Sequence, residues 1–141
     1  MLYLFLVVVL AFGVRNYLVE PVRVDGVSMA PTLVDGEHML VEKASYWFRT
    51  PARGEIIICY EPGYTESCVK RVIGLPGETV QIEGGVVYIN GAPLDERDYW
   101  NDTIAGDYPA YTVPEGMVFV IGDNRNNSKD SRNASVGAIP P

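Results

Sequence analysis

Apolar positions along this chain form one continuous block followed by a series of short runs. Met1 to Val14 is apolar throughout, and Arg15-Asn16 ends the block. A bilayer span needs about 20 apolar residues, so the block is short by a turn or two. A cleaved secretory signal would suit that apolar length. No basic region precedes the block, however, and no small-x-small cleavage site follows it. Residues 1–18 are therefore expected to be an uncleaved membrane anchor lacking its first cytoplasmic turn, and residues 19–141 a separate β-rich domain.

Beyond the block the runs are strand-length and bounded by turn residues. Val19 to Val24, His38 to Lys43, Ile56 to Tyr60 and Val69 to Val72 read as strands, with turns at Asp35-Gly36, Thr50 to Glu55 and Pro62-Gly63. Thr79 to Glu83 and Val86 to Asn90 flank Gly84-Gly85 at two-residue hairpin spacing, and Asn90-Gly91 makes a second turn. Ala92 to Tyr111 has no clear period and is expected to be loop with brief strands. Met117 to Ile121 reads as a buried strand leading into Gly122. About eight short strands predict a mainly β, antiparallel domain behind an N-terminal membrane helix.

Composition narrows the function. The sequence has 141 residues, 14 Gly, 10 Pro and 9 Tyr, which suits strands and turns, and 48% hydrophobic content, enough for a core without metal or disulfides. A net charge of −7 argues against nucleic acid as a partner. Two cysteines and the lone His38 do not make a zinc set, and no cofactor is implied. Cys59 and Cys68 flank the Pro62-Gly63 turn, so they could oppose each other across a hairpin and form a disulfide outside the cytoplasm; two thiols remain the alternative. Tyr46-Trp47-Phe48 fits core packing better than an interfacial membrane contact.

Three stretches carry chemistry. Lys70 lies among β-branched residues and ahead of Gly74-Leu75-Pro76-Gly77, where a buried charge is costly. A buried lysine favours its neutral form, which is a general base, but a strand-edge lysine can also snorkel to water. Ser28, between Gly26 and Pro31, could be a nucleophile in a loop with exposed N–H groups, or a serine in an ordinary turn. Ser67 to Lys70 matches a Ser-x-x-Lys pattern, which works only on a helix. In a strand, positions three apart face opposite ways, so this pairing is rejected. The polar run Gly122 to Arg132 could be a self-bonded surface loop. It has Arg125 and Lys129 where a calcium loop would want oxygen. It could also wall a site, with Asp123 or Asp130 pairing with Arg71 or Arg132.

Ser28-Met29-Ala30-Pro31-Thr32-Leu33, Lys70 to Glu78 and Gly122 to Arg132, in that order, resemble the motifs of bacterial type I signal peptidases, in the compact form common in Gram-positive bacteria. The resemblance implies Ser28 as nucleophile and Lys70 as general base. Ser128 would hydrogen-bond the lysine, Gly26 and Met29 would support the nucleophile loop, and Arg71, Asp123, Asp130 and Arg132 would form structural ion pairs. It further implies a single-pass protein of the cytoplasmic membrane whose catalytic domain faces outward and cleaves signal peptides of secreted preproteins after small side chains. Some members carry a serine where this chain has Gly26, so the oxyanion would rest on backbone N–H groups, including that of Ser28. The chain stops at Pro141 where relatives continue, which leaves open a truncated copy. Two rival readings are an SOS-type self-cleaving Ser–Lys protein, which would need a DNA-binding domain in place of Met1 to Val14, and an inactive membrane-anchored β module that binds exported chains.

Overall fold

The structure is a computed structural model and describes residues 1–14, 19–42, 49–60, 62–63, 67–100 and 102–140, without the side chain of Glu20. The Tyr46-Trp47-Phe48 run and the last four residues of the expected anchor lie outside the described residues. Among the described residues, one helix, α1 (Leu2–Gly13), is followed by nine strands: β1 (Val19–Arg23), β2 (His38–Glu42), β3 (Ile56–Tyr60), β4 (Ser67–Gly74), β5 (Thr79–Glu83), β6 (Val86–Ile89), β7 (Ala92–Pro93), β8 (Tyr108–Thr112) and β9 (Phe119–Ile121). All strand pairs are antiparallel. They form a two-stranded sheet β1-β2, a three-stranded sheet β3-β4-β9 and a four-stranded sheet β7-β6-β5-β8.

α1 has an apolar residue at nearly every position and buries none of them. Twelve residues rise about 18 Å, against a hydrocarbon thickness of about 30 Å. No helix among the described residues is long and apolar enough to cross a membrane.

β4 organises the domain because it is buried on both faces. Residues two apart share a face. Val72 joins Ile57, Cys59, Val118, Val120, Val136 and Ile139 in one apolar cluster. Ile73 joins Phe119, Ile121 and the inner faces of β5 and β6 in the other. A bulge between Val72 and Gly74 lets both be filled. At Gly74 an added Cβ would lie 2.5 Å from Val80 Cγ2 and 2.9 Å from Phe119 Cβ, so the two sheets touch there through a residue without a side chain. The faces of β4 thus send Lys70 to the Val72 side and Arg71 to the Ile73 side.

The expected hairpin at Gly84-Gly85 is present, as is the turn at Asn90-Gly91, where φ is 51° and 83° at the two residues, as a tight two-residue turn requires. The 92–111 stretch contains the short β7 and the start of β8, and Tyr108 and Tyr111 pack their rings on Phe119 at centroid distances of 5.5 and 5.8 Å. Cys59 and Cys68 are direct cross-strand partners of β3 and β4.

Candidate active site

Ser28 sits in the loop between β1 and β2. The loop closes on itself at its base: Val24 N–H donates to Glu37 O at 2.8 Å, and Gly36 N–H to Val24 O at 2.7 Å. Gly26 adopts φ 94°, open to glycine and rarely to other residues, and its N–H donates to Asp35 Oδ1 at 2.9 Å. Its place is to shape the turn ahead of the serine. Met29 is buried under the loop and its sulfur accepts the Asp123 N–H at 3.3 Å.

The opposite wall is the loop after β9. Asn124 N–H donates to Ser28 O at 2.8 Å and Asn124 Nδ2 to Val27 O at 3.0 Å. The Thr32 hydroxyl donates to Asp123 Oδ2 at 2.6 Å. These bonds seat the serine loop over β4, and Lys70 Nζ meets Ser28 Oγ at 2.9 Å. Lys70 is only 4% exposed and Ser28 half-buried. Residues 42 apart in sequence are thereby brought into hydrogen-bond contact. Ser67, by contrast, lies on β4 itself, in a strand and not on a helix.

Both acidic residues of the polar loop are buried in ion pairs. Asp123 accepts Arg71 Nε at 2.8 Å and Nη2 at 2.7 Å, while Arg71 Nη1 donates to Gly54 O. Asp130 accepts Arg132 Nε and Nη2, each at 2.8 Å, together with the Gly122 N–H at 3.0 Å. Burial pushes the Asp130 carboxyl up, but the Arg132 guanidinium, the Gly122 N–H and the Ser128 hydroxyl outweigh it and hold it below its usual range. Ser128 lines the same cleft as Ser28 and Lys70, but its hydroxyl proton goes to Asp130 Oδ2 at 2.8 Å, while the Lys70 hydrogen bond goes to Ser28. An ionised carboxylate, favoured in that form by Arg132, is a strong acceptor for that proton.

Several residues important to this arrangement do not stand out in the sequence. Gly122 is one. An added Cβ there would meet Ser28 O at 2.5 Å and would overlap Ser128 Oγ, so only glycine lets the two loops close. Thr32 is another, readable only as part of the Ala30-Pro31-Thr32 run. Glu96, Tyr99 and Trp100 come from the stretch without a clear period. Tyr99 places its ring 4.0 Å from the Arg71 guanidinium, and burial followed by the Glu96 charge pushes its hydroxyl up to about 12.

Two spaces meet at Ser28 and Lys70. A narrow one, about 30 Å³, is lined by Val22 to Asp25, Met29 and Ser67 to Val69. It lies between two strand edges: β1 is paired only with β2, and β9 pairs with β4 only from Arg71 onward. The other is an open cleft of about 560 Å³ lined by Asp25 to Val27, Asn126 to Lys129 and Asn133. Among the described residues, no group of three His, Cys, Asp or Glu side chains could hold a metal ion.

The family model for signal peptidase, peptidase S26, matches residues 1–141. A probable signal peptidase I of Synechocystis is 44% identical over 136 residues, which is 91% of this chain and 69% of that protein. A signal peptidase I of Leptolyngbya laminosa is 45% identical over 132 residues, 88% of this chain and 64% of the other. One from Bacillus licheniformis is 43% identical over 89% of this chain and 73% of its own length. The chain thus spans about two thirds of the length of these relatives. A crystal structure of a signal peptidase I from Enterococcus faecalis aligns with TM-score 0.53 and 38% identity, over 66% of this chain and 98% of that one.

Proposed function

Because this chain belongs to the bacterial type I signal peptidase family, peptidase S26, we propose that it removes signal peptides from exported proteins as a serine endopeptidase, with Ser28 as nucleophile and Lys70 as general base. The observation that carries the residue assignment is the 2.9 Å contact between Lys70 Nζ and Ser28 Oγ at a lysine with 4% exposure. With the amine neutral, the same contact runs from hydroxyl to nitrogen. Lys70 then takes the Ser28 proton as Oγ attacks the scissile carbonyl carbon. Backbone N–H groups, that of Ser28 among them, hold the oxyanion. The protonated lysine gives its proton to the leaving amine, and the acyl-serine ester is cut by a water that Lys70 deprotonates.

The substrate enters as an extended strand between the free edges of β1 and β4. The narrow 30 Å³ space beside Met29 takes a small side chain next to the cut. The departing chain leaves through the open cleft beyond Ser128. Arg71–Asp123 and Asp130–Arg132 fix the loop that carries Asn124 and Ser128; they position and do not touch the reacting atoms. In this reading α1 is part of a single membrane anchor, with the β domain on the extracytoplasmic side. Its exposed apolar side chains support that role.

Incubation with a peptide bearing an Ala-x-Ala site tests the assignment. Ser28→Ala abolishes cleavage, and Lys70→Met lowers kcat by about 10²–10⁴-fold, the usual worth of a general base. Wild-type cleavage by Ser28→Ala overturns the assignment. Nothing observed favours the SOS-type or the inactive β-module reading.

A further inference from the structure

The sequence has only two cysteines, and the fold places them directly opposite each other on β3 and β4. Directly paired residues of antiparallel strands have Cα atoms about 4.5–5.5 Å apart, within the 4.4–6.8 Å window that a disulfide spans. The two sulfurs lie 2.9 Å from each other. Each also approaches the partner residue's carbonyl oxygen, at 3.6 and 3.4 Å. Cys59 is buried in the Val72 cluster, whereas Cys68 is half-buried and lines the narrow space beside Ser28 and Lys70. On β4, Cys68 is two residues before Lys70 and so shares its face.

We infer that Cys59 and Cys68 form an intrachain disulfide that staples β3 to β4 and steadies the strand carrying Lys70. The partial exposure of Cys68 and burial of Cys59 set the order of events. The Cys68 thiolate attacks an oxidised Cys-x-x-Cys disulfide-donor protein, giving a mixed disulfide and releasing one donor thiolate. The Cys59 thiolate then attacks the Cys68 sulfur and releases the second. Two protons and two electrons leave the pair, and the donor becomes a dithiol. Exposure to such a donor rests on the proposed extracytoplasmic placement; the bond itself does not.

The staple also has a structural logic. The β3–β4 turn runs through Pro62-Gly63, and the β4 edge beyond Lys70 toward that turn has no β9 partner. β3 is therefore the only described strand that holds Ser67 to Lys70. A covalent link at the second rung of β4 fixes the register there, where a slip of one residue would turn Lys70 away from Ser28.

The test equilibrates the full chain with glutathione disulfide, blocks thiols with N-ethylmaleimide and records intact mass, melting temperature and amide exchange. The expected product is a monomer lighter by two hydrogens that takes up no maleimide until dithiothreitol is added, after which it takes up two. Reduction should lower Tm by roughly 5–15 °C and speed exchange at Val69 to Arg71. A Cys59→Ala/Cys68→Ala variant should be insensitive to dithiothreitol in both readouts. Two maleimide-reactive thiols after oxidation, a linked dimer, or a Tm and exchange pattern unmoved by reduction each overturn the staple. If the bond and its Tm shift appear but no Ser28-dependent peptide cleavage does, the protease reading fails and the staple stands.

Discussion

Two buried arginine–carboxylate pairs flank the Tyr99 ring, and they are built to different standards. Arg71 uses Nε and Nη2 on Asp123 and Nη1 on Gly54 O, and stacks 4.0 Å from the ring centroid. Asp123 is fully buried and also accepts the Thr32 hydroxyl, which ties the pair to the loop bearing Ser28. Arg125 makes one aligned bond, Nη1 to Glu96 Oε2 at 2.9 Å. Its Nη2 is 2.9 Å from Glu96 Oε1 but is not aligned for a hydrogen bond, and both those atoms and Arg125 Nε are buried without one. Its guanidinium stands farther from Tyr99, at 5.7 Å. Burying a charge is offset only when its hydrogen-bonding capacity is met. The first pair meets it and serves the site; the second meets it in part and joins the 95–100 turn to the polar loop.

The largest effect expected from that difference is at Asp123. Asp123→Ala leaves Arg71 charged, buried and uncompensated, which costs about 3–5 kcal/mol. Chemical denaturation should show the loss, and peptide cleavage should fall further than the unfolded fraction explains, because the Thr32 tether goes too. A loss under about 1 kcal/mol would remove the distinction between the pairs. Gly122→Ala comes next and separates activity from stability. Its Cβ must displace Ser28 O or the Ser128 side chain. Overpacking of this kind costs about 1–3 kcal/mol. A shift near 1 Å at Ser28, the proposed nucleophile, should cost about 10²-fold in rate. Wild-type kcat in a folded Gly122→Ala protein would mean that the loops part freely.

Much of this was legible in the chain because the signals were local. The hairpins at Gly84-Gly85 and Asn90-Gly91 follow from turn chemistry over two residues, and β3, β5 and β6 from runs of β-branched residues. Pattern alone leaves the pairing of Ser28 with Lys70 undecided; the order of the three motifs implies it. The proton of Ser128 goes to Asp130, whose ionised form Arg132 favours, and that partnership is invisible in residue order. Glu96, Tyr99 and Trp100 carry no signal of their own because they lie in an aperiodic stretch. Their roles exist only once the fold brings that stretch against Arg71 and Arg125. Gly122 was hidden for a different reason: its φ is unremarkable, and what demands glycine is the close approach of Ser28 and Ser128 from elsewhere in the chain.

Asp130 offers a third pair, made within the loop by residues two apart, and it responds to pH. Its folded carboxyl is held below the unfolded value of about 3.9. The stability it contributes is therefore present in full above that value and is lost as pH falls through the folded one. Asp130→Asn should cost about 1–3 kcal/mol at neutral pH, since bonds to a charged acceptor are replaced by bonds to a neutral one. It should also flatten the acid limb of a urea midpoint series below about pH 4. An unchanged acid limb would mean that carboxylates such as Glu78, held low by Arg53, account for the slope.

The smallest net change is expected when Glu96 and Arg125 are replaced together. Removing one partner alone strands the other: Glu96→Leu leaves a buried guanidinium and should cost about 3–5 kcal/mol. Removing both is different. The apolar cluster already includes Trp100, Tyr99 and Ile104 nearby, so a Glu96→Leu/Arg125→Met protein replaces unsatisfied polar atoms with side chains that need no partners. Replacements of that kind are neutral or stabilising by about 1–4 kcal/mol. The double variant should therefore melt at or above the wild-type temperature, whereas the matching Arg71→Met/Asp123→Leu protein should melt lower because Thr32 and Gly54 O lose their partners. If both double variants lose stability equally, saturation of hydrogen bonds is not what separates the two pairs, and the orphaned atoms of Arg125 must be satisfied by ordered water in solution.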